Sequence, residues 1–160
     1  MKFVIDTNIL IKGFQLHSIE CFALIGLFYD NAALSIAFDV EKSVILQEYR
    51  QNLNHNEMFQ KWLVAMFQAN KVFYVSGKLE EKIRKKLVKF GFHESSDQTF
   101  VAVALHSDKN IITEDSDYGK GNEERAGETA KQNVLRYMTQ DLKLNVMDAK
   151  ESLEFIKKFK

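Results

Sequence analysis

The sequence predicts an α/β fold of three layers, in which helices cover both faces of a central, mostly parallel sheet. Short apolar runs with the character of buried strands alternate along the chain with longer segments of helical periodicity. Strands that alternate with helices pair in parallel, and a parallel sheet is covered on both faces. The length of 160 residues is enough for one domain with a full core, so we expect a single domain over residues 1–160.

The first three elements follow from apolar pattern and capping. "KFVID" at the N-terminus is typical of a short buried strand, and "SIECFALIGLF" indicates a helix that Ser18 caps. "AALSIAF" has strand character. "DVEKSVILQEYRQNL" then predicts a helix, because its apolar residues recur at spacings of four and eight and so share one side.

The middle of the chain continues the alternation. "MFQKWLVAMFQA" has the same helical spacing of apolar residues, and "VFYV" is either a brief strand or an extended connection. "KLEEKIRKKLVKFG" predicts a helix with an apolar stripe and a basic remainder, and Gly91 is a natural end for it.

The last third contains a capped helix and two strands. "SSDQTFVAVALHSDKN" predicts a helix in which Ser95 and Gln98 match the capping box. "IIT" predicts a second buried strand. A charged, glycine-containing loop follows it, and "LKLNVMD" and "AKESLEFIKKF" predict a closing strand and helix.

Charge and composition limit the function classes. The 22 basic and 22 acidic residues cancel, so any affinity for nucleic acid must be local. The single Cys21 forms no internal disulfide, which favours a reducing compartment. The longest apolar stretch, "CFALIGLFY", is far short of the roughly 20 residues that a membrane span needs. We therefore expect a cytoplasmic protein that makes no contact with a membrane.

Four acidic residues are candidates for one site. Asp6 and Asp115 each follow a predicted buried strand, and the carboxyl ends of parallel strands meet at one edge of a sheet. Asp97 lies in the first turn of a helix, and Glu48 lies on the apolar side of another. Each acid alone has an ordinary explanation as a turn, helix-dipole or boundary residue. Together they would repel one another unless a cation neutralised them.

The donor set indicates Mg²⁺ or Mn²⁺ chemistry. Carboxylate oxygens suit these hard ions, and two ions ~3.5 to 4 Å apart can activate water and stabilise the leaving oxygen of a phosphodiester. Zinc is disfavoured, because Cys21 and the four histidines show no ligand spacing: His17, His55, His93 and His106. The sequence has neither a glycine-rich phosphate loop nor a GxSxG nucleophile elbow.

Several stretches resemble the PIN domains, a family of Mg²⁺- or Mn²⁺-dependent nucleases. "FVIDTNIL" is similar to the first strand of that family, "VILQEYRQNL" to the helix with its second acid, and "SSDQTFVAVAL" to the segment with its third. "IITEDSDYG" is similar to the T-x-D-x-D-aromatic stretch that carries the fourth. The resemblance spans about residues 1–158, but residues 54–92 match no family segment.

The resemblance implies a metal-dependent endoribonuclease with a PIN-like fold. It implies that Asp6, Glu48, Asp97 and Asp115 are catalytic and that Asp6, Asp97, Asp115 and Asp117 bind metal. Asn8 and Thr113 would support them by ordering water and carboxylates. Small PIN domains are often toxins of toxin–antitoxin pairs, so an antitoxin protein is an implied partner beside the RNA substrate.

Two further expectations concern binding. A basic stripe in the predicted helix at residues 78–91 is a candidate for phosphate contacts, although a solvated helical face explains it equally well: Lys82, Lys85, Lys86 and Lys89. The sequence leaves the oligomeric state open, and a homodimer is one candidate.

The alternative function is a non-catalytic RNA-binding or signalling module that keeps the fold. A receiver-like phosphorylation domain is a variant of this alternative, but it fits poorly because the second acid here lies on a helix.

Overall fold

The central sheet has five strands, all parallel. The structure is a computed structural model, and it describes residues 1–159. The strands are β1 (Lys2–Ile5), β2 (Ser35–Asp39), β3 (Val72–Val75), β4 (Asn110–Ile112) and β5 (Asn145–Met147). Their order across the sheet is β3-β2-β1-β4-β5. The sheet is therefore parallel throughout, where the sequence predicted a mostly parallel one.

Helices fill the connections between the strands. They are α1 (Thr7–Phe14), α2 (Ile19–Asp30), α3 (Val44–Leu53), α4 (Glu57–Gln68), α5 (Glu81–Lys89), α6 (Ser95–Leu105), α7 (Thr129–Arg136) and α8 (Ala149–Lys157). Two short 3₁₀ turns, Ser116–Tyr118 and Glu124–Gly127, precede α7, and a π-helical turn, Tyr137–Asp141, continues it. The predicted three-layer α/β class is confirmed.

The N-terminal strand occupies the centre of the sheet. β1 pairs with β2 through Lys2 opposite Ser35, and with β4 through Ile5 opposite Ile112. The chain switches direction across the sheet at β1, because β2 and β3 lie on one side and β4 and β5 on the other. In parallel α/β sheets, such a switch point opens a crevice at the carboxyl ends of the strands.

Two helices were absent from the sequence prediction. α1 begins directly after Asp6, without a linker between strand and helix. α7 follows the charged loop, in a stretch of low mean hydropathy where only Val134 is buried. The ambiguous segment "VFYV" is a strand at the edge of the sheet, paired with β2 from Ile36 to Asp39.

One predicted cap is confirmed and one is wrong. The Ser18 side chain accepts a hydrogen bond from the Cys21 N–H and caps α2. The capping box of α6 does not form, because the helix begins one residue earlier than predicted, with Glu94 at the N-cap. Gln98 instead donates from Nε2 to the carbonyl of Phe92 at 3.0 Å, which ties the segment before α6 to its first turn.

The core is rich in aromatic side chains that meet edge to face. Phe38 contacts Tyr49 with ring centroids 5.5 Å apart, and Phe3 contacts Phe28 at 5.3 Å. Such pairs contribute about 0.5–1.5 kcal/mol each beyond the burial of their area. The first pair fixes α3 against β2.

Membrane-spanning length is not reached by a single helix in residues 1–159. α1 and α2 would reach it in length and composition only as a pair, and they meet at an angle of 105°.

Candidate active site

The ends of β1 and β4 bring Asp6, Thr113 and Asp115 together. The Asp6 N–H donates to the carbonyl of Ile112 at 2.8 Å, which continues the strand pairing past the end of β1. The fully buried Thr113 hydroxyl donates to Asp6 Oδ2 at 2.6 Å and accepts from the Asp115 N–H at 3.1 Å. One hydroxyl therefore fixes both aspartates, and the supporting role of Thr113 in catalysis stays a prediction.

Glu48 is held at the same edge by residues of the β1 end. Thr7 donates from its hydroxyl to Glu48 Oε1 at 2.7 Å. The next residue, Tyr49, is fully buried and donates from its hydroxyl to the carbonyl of Ile5. The end of β1 thus fixes the α3 turn that carries Glu48.

Asp97 reaches this edge from the first turn of α6. Its backbone carbonyl accepts a hydrogen bond from the Tyr118 hydroxyl at 3.3 Å, and Tyr118 is fully buried in the 3₁₀ turn that follows Asp115. The Asp97 side chain is half-buried. The segment after β4 therefore contributes Asp115 to the site and also positions the helix that carries Asp97.

Burial and neighbouring charges raise the pKa of Asp6 to about 7. Burial is the largest cause, because a carboxylate that loses water favours its neutral form. The hydrogen bond from Thr113 opposes this shift, whereas the charges of Asp115, Asp97 and Glu48 add to it. All four predicted carboxylates therefore contribute to a single electrostatic environment.

The pKa of Asp97 is raised in the same way as that of Asp6. Its pKa is raised to about 7, first by burial and then by the charges of Asp115 and Glu48. The pKa of Tyr118 is also raised, by burial and then by all four carboxylates. Excess negative charge of this kind favours the binding of a positive ion.

Asn8 also lies at the edge where the sequence placed it. Its Nδ2 donates to Asp6 Oδ2 at 3.3 Å, and its Oδ1 accepts from the Glu114 N–H at 3.4 Å. Asn8 therefore links the first turn of α1 to the segment that follows β4.

Asp117 differs from the other predicted metal ligands in its contacts. Its Oδ1 accepts from Lys131 Nζ at 2.5 Å and from Arg125 at 3.3 Å. Its charge is therefore already compensated by protein cations. Lys131 could not be predicted as the partner of Asp117, because the sequence analysis did not predict α7, which carries it. A role for Asp117 in metal binding stays a prediction without support from its surroundings.

A fifth acid, Asp39, ends β2 at the same edge of the sheet and was missed by the sequence analysis. It is buried, and both its oxygens accept backbone hydrogen bonds: Oδ2 from Val44 at 2.9 Å and Oδ1 from Ile45 at 3.0 Å. Asp39 therefore holds the start of α3, the helix that carries Glu48. A strand followed directly by Asp was a signal available in "AFD".

The basic stripe lies on the exposed side of α5. Its four predicted lysines are exposed. Lys85 lies 3.9 Å from Glu81, and Lys86 lies over the rings of Phe90 and Tyr137. The stripe is accessible to a nucleic acid, and its role in binding one stays a prediction.

The carboxylates suit a divalent ion by the chemistry of their donors, and they leave the site open. Within residues 1–159, no three acidic, imidazole or thiol side chains converge closely enough to enclose a metal ion. Mg²⁺ seldom needs such a cage, since it is commonly held by one or two carboxylates and keeps waters that substrate phosphates can replace. Asp6, Asp97 and Asp115 are the side chains that fit this pattern.

The five parallel strands with their switch point at β1 and the helices around them define an α/β fold, and the predicted acids gather at the carboxyl edge of its sheet. This confirms the fold class that the sequence predicted.

A solved structure shares this fold, although comparisons of sequence give no relative. Neither a protein-family model nor a curated protein matches the chain. The crystal structure of VapBC2 from Rickettsia felis bound to a DNA fragment from their promoter matches with a TM-score of 0.53. The alignment covers 92% of this chain and 98% of the matched chain at 12% identity. At this identity the similarity is one of fold.

Proposed function

We propose that this protein is a metal-dependent endoribonuclease that hydrolyses RNA phosphodiester bonds at the edge of the sheet. One observation carries the proposal: Thr113 and Thr7 hold Asp6, Asp115 and Glu48 at one edge of the sheet, where burial, and then the charges of Asp115 and Glu48, raise the pKa values of Asp6 and Asp97. A divalent Mg²⁺ or Mn²⁺ ion, held by one or two carboxylates of the set Asp6, Asp97 and Asp115, would supply a Lewis acid for the phosphoryl oxygens.

The protein's own residues would orient the ligands and the attacking water. Thr113 and Asn8 both donate to Asp6 Oδ2, and within residues 1–159 no donor reaches Oδ1, so Oδ1 is the Asp6 oxygen that would bind the ion. Thr7 fixes Glu48 through Oε1, and within residues 1–159 no donor reaches Oε2. Glu48 Oε2 is therefore the oxygen that would orient the attacking water or accept its proton.

The test is cleavage of labelled single-stranded RNA, tRNA and DNA in Mg²⁺, Mn²⁺ or EDTA. Asp6→Asn and Asp97→Asn are compared with Asp30→Asn, which alters an exposed aspartate at the end of α2. We expect RNA cleavage that requires metal, disappears in the two site variants and persists in Asp30→Asn. RNA bound but left intact would instead support a non-catalytic binding module.

We also propose that a protein antitoxin binds and neutralises this chain. The matched structure contains VapBC2 with promoter DNA, and this chain exposes a compact apolar surface where α1, α2 and α4 meet. That surface surrounds a depression of about 360 Å³ whose lining includes Phe14, Ile19, Phe22 and Met58. Ile19 is 80% exposed, and exposed apolar groups in such a cluster mark a protein contact.

Growth assays test the antitoxin proposal separately from cleavage. Expression of the wild-type chain should arrest growth, Asp6→Asn should not, and the protein encoded beside the gene should relieve the arrest. Ile19→Glu should keep cleavage in vitro and lose that relief. The cytoplasmic location and a homodimer stay proposals, which cell fractionation and light scattering would check.

A further inference from the structure

The acidic site raises a problem of charge for the proposed substrate. A phosphodiester is an anion, and the site presents Asp6, Glu48, Asp97 and Asp115 to it. The chain as a whole has no net charge, so no global field attracts an RNA strand. The inference that follows rests on the proposed function, and it concerns which cation beside the site receives the phosphate.

Three cations border the site, and they differ in how they are engaged. Lys12 lies 2.6 Å from Glu114, and Lys131 lies 2.5 Å from Asp117. Arg125 lies 3.3 Å from the same Asp117 oxygen that Lys131 contacts. The side chain of Arg125 is 59% exposed, compared with 32% for Lys12 and 15% for Lys131. Of the three cations, Arg125 therefore has the longest ion-pair contact and the most exposed side chain.

The charges around Asp117 leave a surplus on Arg125. Lys131 makes the shorter contact with the Asp117 carboxylate, and one ammonium neutralises one carboxylate. Arg125 adds a second positive charge to that pair, so the group of three carries a net charge of +1. A guanidinium has five N–H donors in a planar fork, and this fork matches two oxygens of a phosphate.

Arg125 also stands between two of the catalytic candidates. It lines a depression of about 550 Å³ together with Asn8 and Asp115. It lines a second depression, of about 210 Å³, together with Asp97. Both depressions include Asp117, so the guanidinium lies where the two meet, and a strand that crosses the acidic site passes it.

The backbone around Arg125 is fixed although its side chain is exposed. The neighbouring Ala126 is buried, and its carbonyl accepts from Gln132 Nε2 on α7 at 2.7 Å. The Ala126 N–H donates to the carbonyl of Glu123 at 3.0 Å. A side chain mounted on such a fixed turn can bind a phosphate without first ordering a loop, which lowers the entropic cost of binding.

We infer that Arg125 binds a phosphate of the RNA strand at the junction between Asp97 and Asp115, while Lys131 keeps Asp117 neutralised. The role of Arg125 is thus to bind the substrate beside the reacting group. Arg136 at the end of α7 offers a control outside the basic stripe of α5, since it is also an exposed arginine.

The experiment measures the binding of a fluorescein-labelled 12-residue single-stranded RNA by anisotropy. All proteins carry Asp6→Asn to prevent cleavage, and Mg²⁺ is present. We expect Arg125→Ala to weaken binding about tenfold and to lower the salt dependence by about one phosphate contact. Arg125→Lys should recover part of the affinity, and Arg136→Ala should bind within twofold of the parent. Circular dichroism checks that each variant is folded.

Each outcome separates this inference from the proposed function. If Arg125→Ala binds like the parent, if Arg136→Ala weakens binding equally, or if the parent binds no RNA, the inference is overturned. If the binding results are as expected but the wild-type chain cleaves no RNA with Mg²⁺ or Mn²⁺, the nuclease proposal fails and Arg125 stands as an RNA-binding residue.

Discussion

The ends of β1 and β2 carry two buried aspartates in contrasting environments. Asp39 is 1% exposed and Asp6 is 5% exposed. The oxygens of Asp39 accept hydrogen bonds from the backbone N–H groups at the start of α3. Within residues 1–159, Asp6 accepts side-chain hydrogen bonds only at Oδ2, from Thr113 and Asn8, and the charges of other acids lie near it.

The difference shows what makes an aspartate after a strand structural or functional. Backbone N–H groups that converge on a carboxylate stabilise its charge and use its lone pairs, so Asp39 serves the fold. Asp6 lacks such donors, and its charge is opposed by its neighbours. A cation bound from solution would neutralise the charge of the Asp6 carboxylate.

The largest effect we expect is on activity. Asp6→Asn should lower RNA cleavage on the order of 10²-fold or more, because it removes one oxygen charge from the metal site. Asp39→Asn should retain more activity, since its carboxylate contacts α3 and not the substrate. Initial rates in Mn²⁺ at matched protein concentration measure both. If both variants are folded and lose the same amount of cleavage activity, the contrast drawn between Asp6 and Asp39 is wrong.

The effects on stability should be the reverse of those on activity, with a larger loss of stability from changing Asp39 than from changing Asp6. Asp39→Ala should lower the free energy of unfolding by about 3 kcal/mol, because it leaves buried N–H groups of α3 without their charged acceptor. Asp6→Asn should leave stability unchanged or raise it, since it removes repulsion among the carboxylates. Urea unfolding followed by circular dichroism gives both values. A stable Asp39→Ala would contradict the role assigned to Asp39.

The raised pKa values predict how stability depends on pH. The folded-state pKa of Asp6 is about 7 and its ordinary value is 3.8. Between these values the folded chain holds a proton that the unfolded chain has lost, so stability falls as pH rises from about 4 to about 7. The decline should be smaller in Asp6→Asn. Thermal melts across this range test the slope, which should be absent if Asp6 is ionised at low pH.

Added metal should reverse that decline. At pH 8, Mg²⁺ or Mn²⁺ should raise the melting temperature of the wild-type chain, because an ion that binds only the folded state stabilises it. Asp6→Asn should respond less, and Asp30→Asn should respond as the wild type does. Equal shifts in all three proteins would indicate nonspecific ion effects.

The smallest expected effect concerns Thr113. Thr113→Val keeps the shape of the side chain but removes the donor to Asp6 and the acceptor for Asp115. We expect cleavage about tenfold lower and stability lower by about 1 kcal/mol. Thr113→Ser, which retains the hydroxyl, is the control. If serine and valine have the same effect, the hydroxyl does not orient Asp6.

The fold could be predicted where a single local pattern decided the structure. The strands at Lys2–Ile5 and Asn110–Ile112 are short apolar runs, and their parallel pairing follows from the helices between them. α1 could not be predicted in this way, because it begins at Thr7 without a polar linker and its apolar residues continue the pattern of β1. α7 has too little apolar surface to be predicted from an apolar pattern, since Val134 is its only buried residue.

The site was predictable in part for the same reason. The placement of Asp6 and Asp115 at one sheet edge follows from the parallel pairing of β1 and β4. The pairing of Asp117 with Lys131 depends on the fold of a charged loop, for which the sequence offers no periodic signal. The role of Asp39 depends on backbone N–H groups five and six residues away, which residue type alone does not reveal.

The central position of β1 has a consequence for synthesis. Of the five strands, β1 is made first, yet it needs neighbours on both sides, and its neighbour β4 is made more than 100 residues later. Asp6 and Glu48 therefore emerge from the ribosome early, whereas Asp115 and the hydroxyl of Thr113 emerge late. A nascent chain that ends before β4 lacks Asp115 and the Thr113 hydroxyl that holds Asp6, so the acidic edge cannot form until β4 has been made.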